Sequence, residues 1–166
     1  YMATRLAIWK DPWNDGMNGR DKGFQIIQSL YAIGSGGLLG VGFGKSRQQF
    51  LDLPESENDY IFSIWCEEMG FVGAAIVILL FILLVIRGYW IAVHARDRFG
   101  ALLVVGITTL TAVQVFLNIS VVTNLIPSTG ISLPFFSYGG TALMIQLAEM
   151  GMVLSVSRQI PAPKQE

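Results

Sequence analysis

Three long intervals with very few charged residues constrain this chain more than any other feature of its sequence. They cover residues 61–86, 101–126 and 135–156; the second has no charged residue and the third has only Glu149. A bilayer core of about 30 Å is crossed by about 20 helical residues, at a rise of about 1.5 Å each. All three intervals are long enough, so we predict an all-α polytopic membrane protein with three transmembrane helices.

The composition supports the same class. Charged residues make up 14% of the chain, against roughly 25% in an average soluble domain. The net charge is −1, and we expect no nucleic-acid partner. The first residues lack the basic start, apolar core and cleavage site of a signal peptide. Because three helices are few for the polar groups described below, we expect this chain to be the C-terminal part of a longer protein.

The placement of basic residues predicts the sidedness of the chain. Residues 87–100, between the first two helices, contain three arginines and one acid, and the tail at 159–166 follows Arg158 and contains Lys164. The connection between the second and third helices contains no Lys or Arg. By the positive-inside rule the first two regions are cytoplasmic. Residues 1–60 and the loop around 124–140 are then extracellular.

The extracellular segment begins with turn-forming residues and continues into a short apolar stretch. Residues 1–23 alternate aromatic, charged and turn-forming residues, and the stretch DPWNDGMNG within them predicts consecutive turns. Trp9 and Trp13 suit the membrane interface. Residues 24–33, FQIIQSLYAI, space their apolar side chains as a helix does. That stretch is too short to span a bilayer, so it predicts an interfacial or re-entrant helix.

A glycine-rich stretch, GSGGLLGVGFGKSRQQ, follows this short helix. A phosphate-binding loop that binds nucleotide is excluded by spacing, because the pattern needs a glycine where Leu39 stands. Flexible backbone with Lys45 and Arg47 can still bind a lipid diphosphate at the membrane surface, with Ser46 and Gln48 as neighbouring candidates. A glycine-rich re-entrant turn with interfacial basic residues explains the stretch equally well.

Acidic residues lead from this loop into the first transmembrane helix. Asp59 is the final acid before the apolar run YIFSIW, at the mouth of the bilayer, and Glu67 and Glu68 follow inside the helix. They lie roughly 12–14 Å further along a helical path. Ionisable residues at that depth are functional-site candidates, because they need a polar cavity or a partner. Asp59 can equally serve as the N-cap of the helix, and spacing alone leaves both roles open.

Polar residues also mark the second helix and the loop after it. Thr108, Thr111, Gln114 and Asn118 form one stripe, which predicts hydrogen bonds to neighbouring helices. The loop NLIPSTGISLPFFSYGG has two prolines, three glycines and no charge. Such backbone must line a cavity or be buried in protein. It predicts one wall of an extracellular site, with Thr129 and Ser137 as candidates.

Three stretches together resemble the SEDS family (shape, elongation, division and sporulation), which includes FtsW, RodA and SpoVE. They lie at 24–46, 53–74 and 124–143, and VVTNLIPSTGISLPFFSYGG is nearer to the FtsW and SpoVE branch than to RodA. The resemblance implies a ten-helix fold of which this chain supplies the final three transmembrane helices, with residues 1–60 as the large extracellular loop.

The resemblance also implies a function. It indicates a peptidoglycan glycosyltransferase that polymerises lipid II on the outer face of the bacterial cytoplasmic membrane during cell division or sporulation. Its implied partners are a class B penicillin-binding transpeptidase and other divisome membrane proteins. The family's essential aspartate, in the motif P-E-x-x-x-D-F-I-F, falls on Asp59, after Pro54 and Glu55 and with Tyr60 in place of the first Phe.

Our hypothesis makes Asp59 the general base that activates the acceptor hydroxyl, with Lys45 and Arg47 on the diphosphate. A divalent cation, Mg²⁺ or Mn²⁺, is an expected cofactor, and holding it is the alternative role for Asp59. A lipid-precursor flippase and a non-catalytic divisome scaffold are the competing functions. We expect no activity from residues 1–166 alone. The remaining substrate-binding candidates are Ser46, Gln48, Pro54, Glu55, Glu67, Glu68, Thr129 and Ser137.

Overall fold

The computed structural model describes residues 2–13, 23–42, 60–136 and 139–160. Within these ranges the chain is helical, without β-strands. Three helices are long and apolar enough to cross a membrane, which confirms the predicted all-α polytopic membrane class. In chain order the helices are α1 (Met2–Lys10), α2 (Phe24–Gly36), α3 (Ile61–His94), α4 (Arg98–Val122) and α5 (Gly140–Arg158).

The ends of the long helices differ from the predicted segments for local reasons. α4 begins before residue 101 because the Asp97 side chain caps it, with Oδ2 accepting from the Gly100 N–H at 2.7 Å. α5 begins after residue 135 because Phe135 has φ 66°, which a helix does not accept. α3 continues past residue 86, so its arginine at 87 is helical.

A helix at the N-terminal end was not predicted. Residues 2–10 form α1, directly before the stretch DPWNDGMNG for which turns were predicted. Trp9 Nε1 donates a hydrogen bond to Asn124 O at 3.0 Å, which holds α1 against the turn that follows α4. Asn124 has φ 57°, a left-handed conformation that asparagine tolerates better than most residues. The partner of Trp9 lies far along the chain, so local sequence gave no signal of it.

α3 is broken at Gly70, which has φ 65° and ψ −167°. The break frees backbone groups that a continuous helix would pair within itself. Residues 37–42, which follow α2 and are called the 37–42 loop below, supply partners for these groups. The loop N–H groups of Val41 and Gly42 donate to Glu67 O and Glu68 O at 3.0 and 3.1 Å, and the helix N–H groups of Phe71 and Val72 donate to Gly37 O and Leu38 O at 2.9 and 3.3 Å.

Glycines permit this close approach of two backbones. A β-carbon at Gly36 would collide with Cys66 O, and one at Gly40 would collide with Glu68 O. At Gly70 the added atom would strike the 37–42 loop itself, and the φ of 65° is strained for any L side chain. Residues 37–42 of the glycine-rich stretch therefore form a turn that docks into a helix. The basic residues of the stretch lie outside the described residues.

The 37–42 loop contacts α3 well inside the helix. Gly70 lies nine residues after Ile61, or about 14 Å along the axis at about 1.5 Å per residue. The loop side chains Leu38 and Leu39 are 72% and 83% exposed, so they present apolar surface to the surroundings of the bundle. Irregular backbone at such depth requires satisfied N–H and C=O groups, and here they are paired.

The long helices pack unequally. α3 and α4 meet where Gly88 faces Thr108, since a β-carbon at Gly88 would collide with the threonine side chain. α5 is the least covered of the three long helices. Within the apolar 18-residue stretch of each helix, 11% is buried in α5, 28% in α3 and 33% in α4. Its buried residues are Val153 and Val156, near the His94 end of α3. Most of the α5 surface is therefore available to other helices or lipid.

Replacing Gly70 with alanine tests the importance of the break. We expect Gly70→Ala to destabilise the full-length protein by more than about 2 kcal/mol, because backbone strain alone is worth about 1–3 kcal/mol and the β-carbon also strikes the 37–42 loop. Thermal unfolding in detergent measures the effect. Gly106→Ala in α4 is the matched control, since a β-carbon there meets nothing within 4 Å. Equal melting temperatures for the two variants would contradict the docked break.

Candidate functional site

The candidate site lies at the Tyr60 end of α3. Tyr60 is the N-cap residue of that helix, is 3% exposed and makes no side-chain capping bond. The N-cap position considered for Asp59 is thus occupied by Tyr60. Asp59 itself lies outside the described residues, as do seven other predicted site residues: Lys45, Ser46, Arg47, Gln48, Pro54, Glu55 and Ser137.

Two buried serines join three helices beside Tyr60. Ser63 Oγ donates to Tyr60 O at 2.7 Å, and Ser29 Oγ of α2 lies 2.9 Å from Val122 O of α4 and 3.2 Å from Ser63 Oγ. Both serines are 0% exposed. Each hydroxyl has one proton, so Ser63 serves Tyr60, while Ser29 can donate to Val122 or to Ser63. The pair fixes the backbone carbonyl next to the position of Asp59.

These serines belong to no motif in the sequence that marks them as partners. A serine within an apolar helix is often just a small residue, and the distance along the chain between Ser29 and Ser63 hides their contact. The FQIIQSLYAI pattern placed Ser29 near the apolar face of α2, which was the available signal. It could suggest a buried hydroxyl but could not identify the partner.

Glu67 and Glu68 place two acids at the level of the helix break. They are 3% and 8% exposed, and their backbone carbonyls accept hydrogen bonds from the 37–42 loop. That loop leads along the chain towards Lys45 and Arg47. Burial of acids in a membrane-spanning helix is costly, which keeps both glutamates as functional candidates.

The connection between α4 and α5, residues 123–139, is tied to both helices. Asn118 Nδ2 donates to Ile131 O at 2.9 Å, and Gln146 Oε1 of α5 accepts from the Phe135 N–H at 2.8 Å. Leu133 is 1% exposed and belongs to the same apolar cluster as Tyr60. The connection is therefore packed beside the candidate site, although Thr129 is exposed.

The polar stripe of α4 makes two described hydrogen bonds to backbone. Asn118 Nδ2 donates to Ile131 O in the connection, and Thr111 Oγ1 donates to Ile107 O of its own helix at 3.0 Å. Thr108 is 2% exposed and packs against Gly88 of α3. The two hydrogen bonds stabilise irregular backbone and the helix itself. Hydrogen bonding of the stripe to neighbouring helices stays a prediction.

Aromatic side chains of α3 contact the end of the α4–α5 connection. The ring of Phe136 meets Trp65 edge-on with centroids 5.8 Å apart, and its centroid lies 6.3 Å from that of Phe81. Such contacts add about 0.5–1.5 kcal/mol beyond burial. They fix the end of the connection against α3.

Position 59 directly precedes Tyr60, whose backbone is buried and hydrogen-bonded. Tyr60 is buried, its carbonyl is bonded, and the elements around it come from α2, α4 and the α4–α5 connection. Within the ranges that the structure describes, no three His, Cys, Asp or Glu side chains come together in a metal-binding group. Among the described residues of this part of α3, Glu67 and Glu68 carry carboxylates, the kind of oxygen ligand that Mg²⁺ and Mn²⁺ prefer.

The fold and this site define a polytopic membrane protein whose irregular segments are packed at one end of the helices. The family model FtsW/RodA/SpoVE, described as cell cycle protein, matches residues 1–161. The chain therefore belongs to the FtsW/RodA/SpoVE family.

Individual relatives are consistent with this membership. The chain is 51% identical over 158 residues to stage V sporulation protein E of Bacillus subtilis (strain 168), covering 95% of this chain and 42% of the relative. It is 44% identical over 160 residues to a probable peptidoglycan glycosyltransferase FtsW of Geobacter sp. (strain M18), covering 96% of this chain and 43% of that one. The chain thus spans less than half the length of these relatives.

A solved structure shares the fold. It is described as a peptidoglycan synthase complex that coordinates polymerization and crosslinking, and the matched chain aligns with a TM-score of 0.72 at 31% identity. The alignment covers 96% of this chain and 42% of the other.

Removing the Ser29 hydroxyl tests the three-helix junction. We expect Ser29→Ala to destabilise the full-length protein by about 1–3 kcal/mol, because the buried Val122 carbonyl loses its donor. Ser35→Ala, on the same helix but exposed, should change stability by less than about 0.5 kcal/mol. Melting temperatures of both variants in one detergent provide the comparison. A smaller loss for Ser29→Ala than for Ser35→Ala would rule out the junction.

Proposed function

We propose that the full-length protein containing this chain is a peptidoglycan glycosyltransferase that polymerises lipid II. The observation that carries the proposal is the motif PESENDYIF, which follows the family pattern with Tyr60 in place of the first Phe. Tyr60 is buried, and its carbonyl accepts a hydrogen bond from Ser63. Family membership and a relative named as a probable peptidoglycan glycosyltransferase support it.

In the proposed reaction, Asp59 acts as the general base. The acceptor sugar's 4-hydroxyl loses its proton to the carboxylate, and its oxygen bonds to the anomeric carbon of the donor. The bond from that carbon to the diphosphate breaks, and the electron pair leaves with the lipid diphosphate. A diphosphate is already a good leaving group, so one base suffices, whereas glycosidases use two carboxyl groups.

The leaving diphosphate needs positive charge more than it needs an acid. We assign Lys45 and Arg47 to it, because they follow the docked 37–42 loop in the chain. Ser46, Gln48, Pro54 and Glu55 are their neighbours in the proposed binding region. Glu67, Glu68, Thr129 and Ser137 complete the proposed cavity.

A divalent cation is part of the proposal. Mg²⁺ or Mn²⁺ would neutralise the diphosphate when bound, and both ions prefer oxygen ligands. The carboxylate of Asp59 has the right chemistry to hold such an ion instead of taking a proton.

We further propose that the Tyr60 end of α3 faces the outside of the cytoplasmic membrane. Four arginines lie at or near the opposite end, in residues 87–98 and at the end of α5, which supports this orientation by the positive-inside rule. A class B penicillin-binding transpeptidase is the proposed partner, with other divisome membrane proteins. Support for that partner is the structural similarity to a peptidoglycan synthase complex that couples polymerization to crosslinking.

Neutralising Asp59 tests the catalytic assignment. Asp59→Asn in the full-length protein should reduce lipid II polymerisation by about 100-fold or more, since general bases contribute about 10²–10⁴-fold. The assay measures glycan chains made from purified lipid II. Asp52→Asn is the matched control, because it makes the same charge change in the same acidic stretch and should keep near-normal activity.

The outcome separates the competing functions. Undiminished polymerisation by a folded Asp59→Asn protein would disprove catalysis by this residue. Wild-type protein that moves lipid II across vesicles without making glycan would favour a flippase. Normal growth of cells carrying Asp59→Asn would favour a scaffold.

Removing positive charge from the glycine-rich stretch tests diphosphate binding. Lys45→Gln and Arg47→Gln should each raise the KM for lipid II by about tenfold or more, because a charge-assisted hydrogen bond contributes about 1.5–3 kcal/mol and about 1.4 kcal/mol is a factor of ten. Lys10→Gln, in α1, is the control and should leave KM unchanged. Steady-state kinetics at varied lipid II concentration measure both constants. An unchanged KM for both variants would remove these residues from the binding site.

A further inference from the structure

Arg87, Trp90 and His94 form a stacked cluster near the C-terminal end of α3, called the Arg87 stack below. The Arg87 guanidinium carbon lies 4.2 Å from the centroid of the Trp90 ring. The His94 ring stacks on Trp90 with centroids 4.2 Å apart and planes at 23°. All three side chains are exposed. The function proposed above uses none of them.

Backbone contacts make this cluster more than three neighbouring side chains. His94 Nδ1 donates to Trp90 O at 2.8 Å, because a carbonyl oxygen can only accept. The hydrogen bond restrains the imidazole, which in turn contacts the indole. An arginine stacked on an indole keeps its N–H edges free, so the guanidinium is held in place while its donors remain available.

The surroundings of the stack are strongly basic. Arg96 is exposed in the adjacent turn, Arg98 is exposed at the first position of α4, and Arg158 ends α5. α5 reaches this end, because Val156 would lie 3.3 Å from a β-carbon at Gly100. Among the described residues of this end, 87–104 and 150–160, Asp97 is the acid, and its carboxylate already caps α4. Four arginines against one engaged carboxylate leave a net charge of +3.

The position of the Arg87 stack on α3 indicates which phosphate-bearing ligand it binds. The stack lies on a helix long and apolar enough to span a bilayer, beside the charged turn that ends it. Tyr89 and Trp90 are 40% and 42% exposed, as expected of aromatic side chains at a lipid–water interface. A phosphate at this level belongs to a lipid headgroup, and apolar surface of α3 continues beneath it for the acyl chains.

We propose that the Arg87 stack is a binding site for the headgroup phosphate of an anionic phospholipid. The Arg87 N–H edges donate to the phosphate oxygens, the indole fills the interface beneath the headgroup, and Arg96 and Arg98 supply long-range attraction. The site does not depend on the proposed glycosyltransferase activity, since it lies at the opposite end of α3 from Tyr60.

Native mass spectrometry of the full-length protein tests the proposal. The protein in detergent is mixed with increasing concentrations of phosphatidylglycerol or phosphatidylcholine and transferred to the gas phase. The lipids that remain bound are counted at each lipid concentration. We expect phosphatidylglycerol to bind preferentially, and Arg87→Gln to weaken the tightest binding about fivefold, the effect of one basic residue near a membrane surface. Lys10→Gln is the charge-matched control, because Lys10 is exposed on α1, near the opposite end of the bundle.

Two further variants separate a built site from general attraction. Arg87→Lys keeps the charge but lacks the planar group that stacks on Trp90, so we expect it to weaken binding as well. Trp90→Leu should do the same without any change of charge. Equal effects of Arg87→Gln and Lys10→Gln, or full binding by both Arg87→Lys and Trp90→Leu, would overturn the proposal. Displacement of the lipid by millimolar inorganic phosphate would overturn the lipid assignment.

Discussion

The docking of the 37–42 loop into the break at Gly70 is the interaction on which the rest of the structure depends. A break inside an apolar helix exposes backbone groups that lipid cannot satisfy, and four hydrogen bonds from one short loop supply the partners. Because the loop follows α2 directly, these bonds also fix α2 against α3. That placement brings Ser29 to Ser63 and joins both to the end of α4. Loss of the docking would therefore disturb backbone far from Gly70.

The need to pair backbone N–H and C=O groups also explains the contacts of several described polar side chains near the Tyr60 end of α3. Ser63 bonds to the Tyr60 carbonyl, Asn118 to the Ile131 carbonyl and Gln146 to the Phe135 N–H. Each pairs a side chain with backbone outside regular helix, where membrane-embedded N–H and C=O groups are most costly to leave unpaired. The described backbone at this end is thereby buried and hydrogen-bonded through side chains that take no part in the proposed chemistry.

Sequence predicted the features that follow from local pattern. Long apolar runs predicted the three helices that are long and apolar enough to cross a membrane. The break at Gly70 was not predicted, because a glycine in an apolar run resembles any small packing residue. α1 was missed since its tryptophan bonds to a residue distant in sequence. Asp59 was distinguished from its acidic neighbours by a motif, since physical pattern alone left its role open.

The Phe135–Gln146 hydrogen bond has a mechanical consequence for α5. This helix buries Val153 and Val156 near its C-terminal end, while its N-terminal half is held to the α4–α5 connection through Gln146. A protein that docked on the uncovered side of α5 and tilted it about the valines would pull on the backbone at Phe135. The bond would then either break or transmit the displacement to the segment packed over Trp65. The hydrogen bond from Phe135 N–H to Gln146 therefore couples the position of α5 to the backbone at Phe135, beside the Phe136–Trp65 contact.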